Sequence, residues 1–218
     1  MFVPLEKKVD ELVRRIPELI RNFDYRKGPD LYFYKKVLEM RRSKHLGELL
    51  GESDRYLELI YATLVAWDMN SRGAKMKYFD EFKSTILDNR ERFMQLLPYR
   101  LEAMSSGAFG EAKMLCGEIY DNMHLMISEG RLVSNSKVMH FILPDLVMPM
   151  DRQNTLKFFF GHTNESKNNF MKILNCSFEI TKRIDLSQFL DDQWNQSIPK
   201  IIDNAIISSE SPKYNRSS

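Results

Sequence analysis

The chain has 218 residues, 43% of them hydrophobic and 28% charged, which fits a globular chain with a substantial core rather than a disordered or fibrous one. Its 32 basic and 30 acidic residues give a net charge of +2, so no strong overall field singles out a polyanionic partner. No stretch reaches the roughly 20 apolar residues needed to cross a bilayer, and the start MFVPLEKKVDELVRR lacks the apolar centre of a secretory signal.

Helical spacing begins at once. Leu5, Val9, Leu12, Val13 and Ile16 follow the i, i+3, i+4 rule, with a break or restart expected at Pro17. The Gly28-Pro29-Asp30 turn opens a second helix through Leu31, Tyr34, Val37 and Leu38 to about Arg42. Ser53 suits the N-cap of a third, carrying Leu57, Ile60, Leu64 and Trp67. Residues 1–45 hold twelve Lys or Arg against seven Asp or Glu, so this first segment offers a basic surface.

Asn70-Ser71-Arg72-Gly73 reads as a turn. Helical periodicity returns from Tyr78 through Phe82, Ile86, Phe93 and Leu97 to Pro98. Ser105-Ser106-Gly107 is a candidate boundary between two helical lobes. A long helix is expected over about 108–128, ended by Gly130. Then come a short helix before Pro144, a proline-bearing loop and a helix from Asp151. A further helix covers about 166–183, and Pro199 suits the first turn of a last one. Polar residues 208–218 read as a disordered tail. The expected fold is all-α: an irregular multi-helix domain over residues 1–207, with a possible lobe boundary near 105–107.

Cys116 and Cys176 lie far apart with no C-x-x-C spacing, which suits reduced, buried thiols in a cytoplasmic protein. The four histidines form no i, i+4 pair, so neither a metal site nor a cofactor is expected. The densest run of chemically special residues is 134–152. Ser134 is placed to cap the short helix, which would set Lys137 in its first turn. There the helix dipole and partial burial would lower the lysine pKa and make the amine a better nucleophile toward carbonyl-like carbons. His140, three residues on, shares that face. Asp151 is placed to cap the next helix, where a carboxylate stays ionised and can face developing positive charge; Arg152 follows it. Trp67, Asn70 and Arg72, at a helix end, could stack on and hydrogen-bond a planar ligand.

Lys137-Val138 in a helix, followed across a loop by Pro149-Met150-Asp151 opening another, resembles the catalytic core of the helix-hairpin-helix DNA glycosylases. The likeness covers about residues 130–161. It implies an all-α enzyme that flips a damaged base from DNA, with Lys137 attacking the sugar C1′ and Asp151 stabilising the oxocarbenium-like charge. It would place Trp67, Asn70, Arg72, Ser134, His140 and Arg152 near the base pocket. Such a protein is a hydrolase of the N-glycosidic bond and has DNA as its partner. Where that family carries a Pro-Gly-x-Gly hairpin, this chain has Glu129-Gly130-Arg131-Leu132-Val133. Residues Ala66 to Gly73, taken with Ser136-Lys137 and Leu143-Pro144-Asp145, also look like an uncharacterised family of prokaryotic helical proteins, which implies no activity. The alternative to an enzyme is a non-catalytic helical module that binds a protein or nucleic acid through its basic N-terminal helices.

Overall fold

A computed structural model describes residues 4–23, 28–51, 53–71 and 75–210. Among them are eleven α-helices, one π-helical turn, one 3-10 turn and no strand beyond a single isolated bridge, so the fold is all-α. No described helix is long and apolar enough to cross a membrane.

Helix α1 (Leu5–Arg21) buries Val9, Leu12, Ile16, Leu19 and Ile20 and runs straight through Pro17. The expected break fails on energetic grounds. An interior proline costs about 3 kcal/mol, whereas burying two aliphatic side chains beyond it, Leu19 and Ile20, returns roughly 1.5–3 kcal/mol each. Helix α2 (Pro29–Ser43) starts at the Gly28 turn as expected, and a short α3 (Leu46–Leu49) follows it. Helix α4 (Arg55–Ala66) packs along α2. Its N-cap is Asp54, one residue beyond the expected Ser53, whose hydroxyl accepts from Arg55 N at 3.2 Å.

The continuous periodicity from Tyr78 to Leu97 divides into α5 (Phe79–Leu87) and α6 (Arg90–Leu96). Buried Asn89 interrupts it by turning its amide back onto Thr85 O at 2.9 Å. Ser105 caps α7 (Ser106–Asn122), accepting from Ala108 N at 3.2 Å, and one apolar core continues across residues 105–107. Helix α7 ends six residues short of expectation. Residues 123–127 turn extended instead and pair with 75–77 through Lys77 N to Leu125 O (3.0 Å) and Ile127 N to Lys75 O (2.9 Å). Alternate burial of Met123 and Leu125 drives the change.

Helix α8 (Leu132–Ile142) is the centre of the molecule. All eleven of its residues are buried, and it packs on α2, α4 and α10. A π-helical turn (Arg152–Leu156) leads directly into α9 (Lys157–Phe160), which buries three phenylalanines and ends at Gly161 with φ 69°. Helix α10 (Lys167–Arg183) has Ser166 as its N-cap, and α11 (Ile198–Glu210) has Pro199 in its first turn. Both pack on α1. Residues 208–210, assigned above to a disordered tail, belong to α11; Ser208 donates to Leu19 O at 3.1 Å and fixes them to α1. Residues 211–218 lie outside the described residues.

Candidate active site

A helix buried on every side must satisfy each polar side chain it carries. In α8, Asn135 donates to Tyr120 O (3.1 Å) and Met123 O (2.9 Å). Ser136 donates to Val133 O and accepts from Met150 N at 3.0 Å, which fastens the strand-like approach to Asp151 onto α8. His140 Nδ1 lies 2.8 Å from Val147 O, so this nitrogen carries the proton, and Nε2 accepts from Tyr34 Oη at 3.4 Å. Burial lowers the His140 pKa to about 3, which leaves it neutral.

Lys137 is the exception. Its side chain is buried, yet among the described residues Nζ finds only a thioether, Met69 Sδ at 3.5 Å, and the Trp67 ring, whose centroid is 5.4 Å away. Burial pushes its pKa below the ordinary lysine range. Asp151 and Asp203 pull it back upward, Lys200 opposes them, and Asp68 adds to the upward pull. Of the two expected causes, burial acts and the helix dipole does not. Helix α8 begins at Leu132, with Arg131 as N-cap, so Lys137 sits in the second turn, beyond the dipole's main reach. Ser134 is likewise no cap; its hydroxyl donates back to Arg131 O at 3.2 Å.

Lys137 faces a cleft of about 680 Å³ built from five other parts of the chain. Helix α2 contributes Asp30 at its start. The end of α4 contributes Trp67 and Asp68, and α11 contributes Lys200 and Asp203. Asp151 and Asn154 come from the π turn, and Trp194 from the segment before α11. A larger groove of about 770 Å³ between α2 and α4 has only exposed or bonded ionisable groups; Lys36 pairs with Glu39 and Tyr56 donates to Phe141 O, each at 2.8 Å.

Asp151 caps the π turn as expected of a helix start. Its Oδ1 accepts from Gln153 N (2.7 Å), Asn154 N (3.0 Å) and Asn154 Nδ2 (3.1 Å), while its own N–H donates to Thr155 Oγ1 at 3.0 Å. Asp68, at φ 63°, is the one described non-glycine residue in the left-handed region, a conformation that costs energy and is concentrated at functional sites. Trp67 donates from Nε1 to Asp30 O at 3.3 Å and packs against Tyr34, Phe141 and Trp194.

The fold thus brings Lys137, Asp151 and Trp67 to one cleft. His140 lies behind it, fully buried against Tyr34. Asn70 instead braces its own turn, accepting from Met76 N at 3.3 Å, and Arg72 lies outside the described residues. Arg152 points to Glu165, whose other oxygen accepts from Val133 N at 3.2 Å, so the front of α8 is capped by a carboxylate of this chain.

Four functional candidates escaped the sequence: Asp68, Trp194, Lys200 and Asp203. Lys200 and Asp203 form a buried ion pair, Nζ to Oδ2 2.5 Å, with the Lys200 ammonium 5.2 Å from the Trp194 ring centroid, 5.5 Å from Trp67 and 5.9 Å from Tyr34. Their signal was present in α11, where a lysine and an aspartate at i, i+3 interrupt the apolar run Ile198, Ile201, Ile202, Ala205 and Ile206. Comparisons with protein-family models, with curated proteins and with solved structures gave no match.

Proposed function

We propose that this chain is a DNA-base-lesion glycosylase-like enzyme in which Lys137 is the nucleophile and Asp151 the supporting carboxylate. The observation that carries the reading is their common cleft: a desolvated amine and a carboxylate fixed by three N–H donors open on the same space, with an indole, Trp67, beside the amine. An unprotonated amine attacks C1′ as the N-glycosidic bond breaks, and the bonding pair leaves with the base. The proton lost from the nitrogen goes to the departing base, and Asp151 faces the positive charge that builds on the sugar. Ring opening then leaves an iminium between Lys137 and C1′.

Borohydride reduces such an iminium to a stable amine, so the test is trapping on lesion-containing duplexes. The expected result is a covalent protein–DNA adduct and base release, both abolished in Lys137→Ala. Absence of adduct and of excision across a panel of alkylated, oxidised and deaminated bases would sink the reading.

The second reading, a non-catalytic module acting through the basic first helices, draws on the same surplus of lysine and arginine. Much of that surplus is committed within the chain. Arg15 pairs with Glu11 at 3.1 Å, Arg41 Nε donates to Ile142 O at 2.7 Å, and Arg42 bonds Gln196. Charge reversal at exposed Arg14 is therefore the cleanest test of this second reading.

A further inference from the structure

The cleft contains two buried lysines and shares its carboxylates between them unequally. Lys200 lies one helical turn before Asp203 and takes that carboxylate at 2.5 Å, and the Trp67, Trp194 and Tyr34 rings surround its ammonium. Asp151 commits Oδ1 to the N–H groups at the start of the π turn. Among the described residues, what reaches the Lys137 nitrogen is a thioether and an indole face. Every described charged group that faces it belongs to the same cleft: Asp151 at the start of the π turn, Asp203 and Lys200 from α11, and Asp68 from the end of α4, with Asp30 at the rim.

We infer that Lys137 is an amine that condenses with carbonyl compounds in general, and that Lys200 is the positioning residue that keeps it available by holding Asp203 in a buried ion pair. An ammonium clamped by a carboxylate and three rings has no lone pair to offer. A desolvated amine beside a second cation is the arrangement that favours the neutral nucleophile. Two amines in one space thus take different roles, one held in an ion pair and one reactive. The inference rests on Lys137 being the nucleophile of the proposed function, but it requires neither DNA nor a base.

The step balances without a further reagent. The nitrogen lone pair attacks the carbonyl carbon, forming the C–N bond, and the π pair moves to oxygen. The oxygen takes one proton from the nitrogen and one from solvent at the cleft mouth and leaves as water, giving the iminium. A borohydride then supplies hydride to carbon and makes the product permanent.

The test treats the full chain with formaldehyde and cyanoborohydride from about pH 6 to about pH 10 and reads methylated lysines by peptide mass spectrometry. In the wild-type protein the Lys137 rate levels off at a lower pH than that of exposed lysines, and Lys200 stays unmodified. In Lys200→Met, Asp203 is released to pair with Lys137, so the Lys137 profile moves to higher pH and its labelling at pH 7 falls by about tenfold for each unit of that shift. The double variant Lys200→Met/Asp203→Asn restores the wild-type profile. Equal labelling of Lys137 and Lys200, an exposed-lysine profile at Lys137, or an unmoved profile in Lys200→Met each overturns the inference. Should Lys200→Met not fold, the wild-type contrast between the two lysines still decides. Labelling of Lys137 without any DNA adduct would retain this inference and remove the glycosylase reading.

Discussion

Lys200 and Asp203 meet at 2.5 Å with only 4% and 6% of their side chains exposed. A buried pair gains little over an apolar replacement, but losing one partner strands a charge. Asp203→Asn is therefore expected to destabilise the fold by about 3–5 kcal/mol. Lys200→Met/Asp203→Asn should cost far less than either single change. Urea denaturation of the three variants checks the non-additivity.

Lys137 is a cost the fold carries. Replacing it with methionine keeps the length, suits the Met69 and Trp67 neighbours and removes a buried polar nitrogen. Lys137→Met should raise unfolding stability by about 1–2 kcal/mol while abolishing the borohydride adduct. A loss of stability would mean that the amine is a structural partner instead.

Asp151 serves both as a cap and as a charge, and the two roles separate. Asparagine is as good a cap as aspartate, so Asp151→Asn should stay close to wild type in thermal denaturation. Asp151→Ala should lose about 1 kcal/mol. Both variants are expected to lose base excision, because the carboxylate charge is absent in each.

His140 predicts the acid side of the stability curve. Its folded pKa is about 3, against about 6.5 in the unfolded chain. Between these values the unfolded state binds a proton that the folded state refuses, so stability falls as pH drops through that window, by about 1.4 kcal/mol per pH unit from this group. His140→Gln should flatten the dependence of unfolding free energy on pH by one proton, as measured by urea titrations between about pH 4 and about pH 6.

Much of the helical framework was readable because it is local. The Gly28-Pro29 start of α2 and Pro199 in α11 are punctuation that acts within one turn. Failures came where a distant partner overrode the local signal. Pro17 is tolerated because Leu19 and Ile20 find a core, and α7 stops at Asn122 because residues 75–77 take its next segment. The site divides in the same way. Lys137, Asp151 and Trp67 could be picked by residue type beside a helix end or loop. Lys200, Asp203 and Trp194 become neighbours of Trp67 only when α11 closes over the cleft, a meeting that no local pattern encodes. His140 and Ser134 have side chains suited to chemistry, and here each is buried and bonded to a backbone carbonyl.

The π turn at Arg152–Leu156 ties two distant requirements to a single residue count. A π turn amounts to an α-helix with one residue inserted, and each α-helical residue rotates the chain by about 100°. Deleting one residue there would let the segment relax into ordinary helix, but either the Asp151 carboxylate or the Phe158, Phe159 and Phe160 side chains would then swing by about that angle. The carboxylate cannot stay on the cleft while the phenylalanines stay in the core. For this segment, then, length is under tighter constraint than residue identity: substitutions within 153–156 leave the phase intact, and a single deletion destroys it.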